Sequence, residues 1–266
     1  MSVTLEAPVT NTTTTGHAAR LTGVGKTFGQ GRRAVTALES VDLTVTPGEF
    51  VCLLGASGCG KTTVLNLVAG LDKPSAGTIE LSTSRPAVMF QEAALMPWLT
   101  ASRNVELALR LVGVGKAKRR ERTAELLSLV RLHGVGDKRP HELSGGMRQR
   151  VALARALASA THQSSEDSQP LLLMDEPFSA LDAITRDLLQ SELQCIWRTT
   201  GTAVLFVTHD VREAVRLGQR VVLMSSRPGT VVEEWNVDGL SGADELAMVD
   251  TVNSRLREVI SSHAAA

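Results

Sequence analysis

The chain carries two kinds of apolar pattern. FVCLL (50–54) and LLLMD (171–175) are apolar almost throughout, as a strand covered on both faces would be. TAVLFVT (202–208) and RVVLMS (220–225) share that character, and VTALESVDLTV (35–45) alternates like a half-buried strand. TIEL (78–81) and AVMF (87–90) are shorter strand candidates. A helix is expected from Lys61 to about Gly70, where glycine ends it, and further helical segments fall around 184–199 and 210–217. Strands alternating with helices imply a parallel sheet with helices on both faces. From about Ala101 to Ala160 the strand signal is lost. NVELALRLV, KAKRRERTAELLSLVRL and SGGMRQRVALARALA all have helical spacing, which predicts a helical insertion. THQSSEDSQ (161–169) reads as an exposed polar loop. Over 243–263, Leu246, Val249, Val252, Leu256 and Val259 share one face, the mark of an amphipathic helix packed on its own domain.

Composition narrows the function classes. A chain of 266 residues, 43% of them hydrophobic, can bury one sizeable core. Its 28 Lys and Arg balance 28 Asp and Glu, which argues against a broad electrostatic grip on nucleic acid. The basic cluster Lys116, Lys118, Arg119, Arg120 and Arg122 is offset by Glu121 and Glu125 and reads as a solvated helix face. No stretch reaches the roughly 18 apolar residues of a membrane helix. The N-terminus lacks the basic start and apolar region of a secretory signal, and residues 1–19 read as a disordered tail. Cys52, Cys59 and Cys195 form no CxxC pair and read as reduced thiols of a cytosolic protein.

Three stretches carry chemistry. GASGCGKTT (55–63) follows an apolar strand and opens a helix, and fits G-x-x-x-x-G-K-[ST]. Its glycines allow positive φ and let backbone N–H groups approach a phosphate, while the helix start presents free N–H groups to the same anion. Lys61 supplies a charge for the β- and γ-phosphates, and the Thr62 hydroxyl is placed to ligate Mg²⁺. This says nucleoside triphosphate, without saying what the energy is used for. LLLMDEP (171–177) ends a buried strand in two acids: Asp175 to hold Mg²⁺, directly or through water, and Glu176 to orient and deprotonate an attacking water. LSGGMRQR (143–150) opens a helix with Ser144, Gly145 and Gly146, a second anion site. One nucleotide needs only one such site. The economical arrangement is a head-to-tail dimer in which each chain's second site covers its partner's ATP.

GASGCGKTT, Gln91 in MFQE, LSGGMRQR, LLLMDEP, SALD and His209 in VTHD all occur. Over about residues 20–235 this set resembles the nucleotide-binding subunit of an ATP-binding cassette (ABC) transporter. The fold implied is α/β: a P-loop NTPase (RecA-like) core over 20–92 and 171–240, an α-helical subdomain inserted over 93–160, and an antiparallel β portion near the N-terminus. A C-terminal helix occupies 241–266. The resemblance implies that Gly55, Ala56, Ser57, Gly58, Cys59, Gly60, Lys61, Thr62 and Thr63 cradle the phosphates of ATP. Phe28 stacks on adenine where such proteins usually have tyrosine, and this chain has no tyrosine. Gln91 touches Mg²⁺ and the attacking water, His209 contacts the γ-phosphate, and Asp182 in SALD meets the partner chain. The implied metal set is Thr62, Gln91 and Asp175, and the catalytic set is Glu176, His209, Gln91 and Lys61.

The Met-Pro-Trp of QEAALMPWLTASRNVELAL, with FSALDAITRDLLQ and LMSSRPG, resembles the importer branch for nitrate, aliphatic sulfonates and taurine. Aliphatic sulfonate is the expected cargo, with nitrate and taurine as alternatives. Met96, Pro97 and Trp98 either form part of a groove for a membrane subunit or place Trp98 inside the helical subdomain. The polar link at 161–169 is longer than is usual in such proteins and cautions against close kinship with any one member. The expected partners are a second copy, membrane permease subunits and, indirectly, a solute-binding protein. The expected place is the cytoplasmic face of the membrane, held peripherally. The rival is a soluble ABC ATPase acting on DNA or ribosomes. Such proteins usually carry two fused cassettes or a coiled-coil insertion, and neither is seen here.

Overall fold

A computed structural model describes residues 16–83, 85–160, 169–179 and 181–264 of the chain. Its first half runs β1 (Ala19–Phe28), β2 (Val35–Val45), β3 (Phe50–Leu54), α1 (Lys61–Val68), β4 (Ala76–Leu81) and β5 (Ala87–Met89). Three helices follow: α2 (Ala101–Leu111), α3 (Lys116–Leu129) and α4 (Gly145–Ala160). The second half runs β6 (Leu171–Asp175), α5 (Ala183–Thr200), β7 (Ala203–Thr208), α6 (Val211–Leu217), β8 (Arg220–Met224), β9 (Val231–Asn236) and α7 (Ala243–Ala264). The strands form two sheets. One is antiparallel, in the order β2-β1-β4. The other has the order β5-β6-β7-β3-β8-β9 and is parallel except for β9.

The apolar runs become the centre of the larger sheet because both their faces are covered. Every residue of β3, β6 and β7 is buried. Alternate side chains feed two cores, as the two-residue repeat of a strand requires. Val51 and Leu53 of β3 face α1 and the antiparallel sheet, while Phe50, Cys52 and Leu54 face the helical side. On that side Phe206 lies between Phe50 and Phe178, with ring centroids 5.8 and 5.9 Å away. Trp197 meets Phe50 edge-on at 5.6 Å and donates its Nε1–H to the Gly48 carbonyl at 2.8 Å. The inserted helices share this core: Val105, Leu126 and Val151 are continuous with Met174 and Phe206.

Caps explain the helix limits. Thr100 and Asp182 accept the backbone N–H of Arg103 and Thr185, and Asp210 accepts those of Arg212 and Glu213. Gly201, with φ of 60°, closes α5 in the left-handed conformation.

Two strands escape the hydrophobic pattern. β1 is broken by glycines and register shifts, and β9 is a half-exposed edge strand carrying Glu233 and Glu234. Ala18 and Ala19 are buried and β1 starts at Ala19, so these two residues belong to the folded chain rather than to the tail expected over 1–19. Residues 1–15 and 161–168 lie outside the described ones. The stripe on α7 is narrower than its sequence suggests. Val249 and Val252 are buried and Leu256 and Val259 pack beside them, but Leu246 is 65% exposed. At 3.6 residues per turn, Leu246 stands about 120° round the helix from Val252.

Phe206→Ala should leave a cavity between two aromatic rings and cost about 3–5 kcal/mol. Urea unfolding followed by circular dichroism checks this; a loss below about 1 kcal/mol would mean that the aromatic cluster is not central.

Candidate active site

The phosphate loop leaves β3 and enters α1, so its turn stands at the carboxyl edge of the parallel sheet, where open α/β sheets bind ligands. Gly58 and Gly60 adopt φ of 80° and 102°, a region that costs other residues strain. At Gly60 a Cβ would also stand 2.6 Å from Leu38 Cδ2. The buried Lys61 ammonium donates to the carbonyls of Gly55 at 2.7 Å and Ala56 at 3.1 Å, which holds the loop curled round it. Cys59 is buried beneath the loop. Burial pushes its thiol up, opposed by Lys61, so it is a packing group and no ready nucleophile.

A cleft of about 430 Å³ opens over this loop. Ser57, Gly58, Gly60, Lys61, Thr62 and Thr63 line its floor, and Gln91 and Glu176 line it as well. Phe28 and Val35 also line it; they are paired across the β1–β2 hairpin and about half exposed. Phe28 is therefore not a core residue. The Lys26 ammonium lies 4.9 Å from its ring centroid and bonds Asp72 at 2.7 Å, which lowers the Asp72 carboxyl.

Asp175 ends β6 and is 8% exposed. Burial pushes its carboxyl up, opposed by a hydrogen bond from Thr62; the neighbouring Glu176 adds to the rise and Lys61 works against it. Thr62 and Asp175 thus meet as two oxygen donors beside the cleft. Among the described residues no three His, Cys, Asp or Glu side chains form a metal cluster. A pair of hard donors that leaves most positions to phosphate and water suits Mg²⁺.

Glu176 and His209 come together although 33 residues separate them in the chain: Nδ1 of His209 lies 3.0 Å from Oε2 of Glu176. Parallel pairing of β6 with β7 brings their carboxyl ends side by side. Glu176 has φ of 42°, a strained conformation for a non-glycine residue. Its N–H donates to Val207 O at 3.0 Å, and its own carbonyl accepts from the Ser179 hydroxyl at 3.0 Å. Gln91 reaches the same loop, its Nε2 being 3.4 Å from Ser179 Oγ, while its backbone carbonyl accepts from Gln149 of α4 at 2.6 Å. Gln91 therefore ties the helical insertion to the loop that carries Glu176 and Ser179.

Not every expected site residue reaches the cleft. Ser144 and Gly145 are exposed and lie outside it, and Ser144 Oγ caps α4 through Met147 N at 3.2 Å. Asp182 is the cap of α5, a bond that holds its carboxyl below the usual range. Gly146 packs towards Leu181 and Thr185 at the start of α5. Within one chain these groups form a second surface, separate from the first.

Glu213 is a residue that sequence reading passes over. It is buried below His209, accepts from Thr208 Oγ1 and from Gln190 Nε2 at 3.0 Å, and so holds the strand end from which His209 projects. Its only signal in the sequence is a lone Glu four residues after His209, which reads as an ordinary surface acid.

The family described as ABC transporter matches residues 38–179. The taurine import ATP-binding protein TauB of Burkholderia pseudomallei (strain 1710b) is 45% identical over 222 residues, 81% of this chain and 82% of that protein. The nitrate import ATP-binding protein NrtD of Synechocystis sp. (strain ATCC 27184 / PCC 6803 / Kazusa) is 41% identical over 232 residues, 85% of this chain and 84% of that protein. The ATP-binding cassette MJ0796, solved as a dimer bound to ADP and Pi, superimposes with a TM-score of 0.71 at 33% identity, covering 84% of this chain and all of that one.

Burial pushes the Glu213 carboxyl up, only partly opposed by Thr208 and Gln190. The folded state then binds more protons than the unfolded state, so its stability falls as pH rises from about 4.3 through the raised value. Glu213→Gln removes that fall. The stability of the variant relative to the parent should increase between pH 4 and pH 8, as read by urea midpoints. A difference that stays flat across this range would show that burial does not raise Glu213.

Proposed function

Because the chain belongs to the ABC transporter family, we propose that it is the ATP-hydrolysing subunit of an importer for small anionic solutes, aliphatic sulfonates first. The observation that carries the ATPase reading is the meeting of Glu176 with His209 at 3.0 Å, at a cleft floored by Lys61, Thr62 and the phosphate loop. The fold is that of an ABC cassette, and the chain hydrolyses ATP in the service of transport.

The chemistry follows from the placement of the side chains. The phosphate loop's N–H groups and Lys61 hold the triphosphate, and Phe28 offers an apolar face to the base. Magnesium held with the phosphates by Thr62 and Asp175, with Gln91 near, would neutralise phosphate charge. Glu176 takes a proton from the attacking water. His209 fixes the Glu176 carboxylate and touches the γ-phosphate, so both groups act on one geometry.

Two copies form the working unit. The Ser144–Gly145 helix start is exposed and lies outside the cleft of its own chain, while the related cassette MJ0796 is dimeric. In a two-fold head-to-tail pair, Ser144, Gly145 and Gly146 close over the partner's nucleotide and Asp182 lies at the junction. The partner in the membrane is a permease subunit, itself served by a solute-binding protein. Trp98 supports this: it is 68% exposed, so it does not fill the helical subdomain. The backbone beside it is held by the buried Asn104, which accepts from Met96 N at 2.8 Å and donates to Thr100 O at 3.0 Å. Met96, Pro97 and Trp98 thus form a firmly held apolar surface for a permease segment. No helix among the described residues is long and apolar enough to cross a membrane. The chain sits on the cytoplasmic face through its partners.

For the cargo, taurine is itself an aminoalkanesulfonate, so the name of the TauB relative and the proposal share a head group. Nitrate is the alternative, favoured by the NrtD relative. Deleting the gene should abolish growth on an alkanesulfonate as sole sulfur source and spare growth on nitrate as sole nitrogen source. Failure on nitrate alone would move the cargo to nitrate, and co-purification with ribosomes or DNA would point to the non-transport rival.

Glu176→Gln should lower ATP turnover at least about a hundredfold and leave ATP binding intact. An ATP-stabilised dimer should then accumulate on size-exclusion chromatography. Turnover close to the parent's would remove Glu176 from the role of base.

A further inference from the structure

The LMSSRPG segment has no part in the chemistry above, yet the fold brings it to the same cleft. The turn between β8 and β9 is tightly built. Ser225 N donates to Thr230 O at 2.9 Å, and Ser225 Oγ donates to Pro228 O at 2.9 Å and accepts from Thr230 N at 2.8 Å. It is clamped to β2, since Gly229 N donates to Ala37 O at 2.9 Å and Glu39 N donates to Gly229 O at 3.0 Å. It also presses on the phosphate loop: a Cβ at Gly229 would overlap the Cys59 carbonyl oxygen. From this turn Arg227 lines the cleft, with Nη2 3.8 Å from the place a Cβ on Gly58 would occupy.

Charge gives the position its meaning. The arginines that flank this turn are paired, Arg220 with Glu49 and Glu234, and Arg255 with Glu233 and Glu258. Among the described residues Arg227 has neither an ion pair nor a hydrogen bond to a side chain or carbonyl. A guanidinium matches phosphate oxygens in a planar, two-pronged way and keeps its charge at every working pH. We propose that Arg227 is a further nucleotide-binding residue, pairing its guanidinium with phosphate oxygens of the nucleotide held by the Gly55–Thr63 loop. The same turn that braces the loop thereby delivers a second cation to the cleft beside Lys61. This deepens the ATPase reading and rests on it.

The test is calorimetric titration of the full chain with ADP and Mg²⁺, for the parent and for Arg227→Lys, Arg227→Ala and Arg227→Glu. ADP binding weakens in the order Lys, Ala, Glu if the charge acts. The loss at Ala should be about tenfold in Kd, equivalent to about 1.4 kcal/mol, and the spread should narrow as salt is raised. Urea midpoints without nucleotide should stay together, because Arg227 is exposed. Equal affinities across the series overturn the proposal. So does a loss that ignores charge and follows the urea midpoint, since that would make Arg227 a brace for the turn. A loss confined to ATP-driven dimerisation, with ADP affinity unchanged, also overturns it and assigns the guanidinium to the partner chain. If the parent itself fails to bind ADP, the ATPase reading falls and this proposal with it.

Discussion

The structure depends on a loop curled round one buried ammonium. Lys61 donates to the Gly55 and Ala56 carbonyls, and the chain can make that curl only because Gly58 and Gly60 tolerate positive φ. The curl places Ser57, Gly58, Gly60 and Lys61 along the cleft at the carboxyl edge of the sheet. The other parts of the site are positioned against it. Leu38 and Ala37 of β2 close over Gly60, Cys59 plugs the space below, and the Ser225–Thr230 turn presses on the Cys59 carbonyl. The loop is thus a surface feature supported by buried contacts on several sides, which hold its shape.

Around that loop the fold gathers the candidate catalytic side chains at one sheet edge and leaves the Ser144–Gly145 surface apart from them. Parallel pairing of β6, β7 and β3 sets Asp175, Glu176 and His209 along the same sheet edge as the loop. Helix α4 carries Ser144 and Gly145 away from that edge and out to solvent. Gln91 links the halves, because its carbonyl is bound by Gln149 on α4 and its amide approaches Ser179 beside Glu176. A shift of the helical insertion relative to the sheet would therefore be felt at the Glu176–Ser179 loop. Asn104 of the same insertion holds the backbone beside the exposed Trp98.

Legibility from sequence followed burial and spacing. The central strands were readable because doubly covered strands must be apolar throughout, and α2, α3 and α4 because their faces keep helical periodicity. β1 and β9 were not, because glycine bulges break one and an exposed edge suits charged residues in the other. Site residues within short motifs were readable because the chemistry demands contiguous residues, as in GASGCGKTT. Glu213 and Arg227 were not, because each owes its role to neighbours distant in the chain: Gln190 for one, the Gly58 loop for the other.

By itself the sequence determined the phosphate loop, the doubly covered central strands and the residue types available for catalysis, since these depend on local backbone freedom and on which side chains are present. Only the tertiary structure decided that Glu176 and His209 touch, that Trp98 stands in solvent and that Leu246 turns away from the core. It alone placed Asp182 at a helix cap and Arg227 over the nucleotide cleft. The physical reason is that hydrophobic periodicity specifies a buried face but not the rotation or register at which that face meets its neighbours. Those are set by the packing of both cores at once.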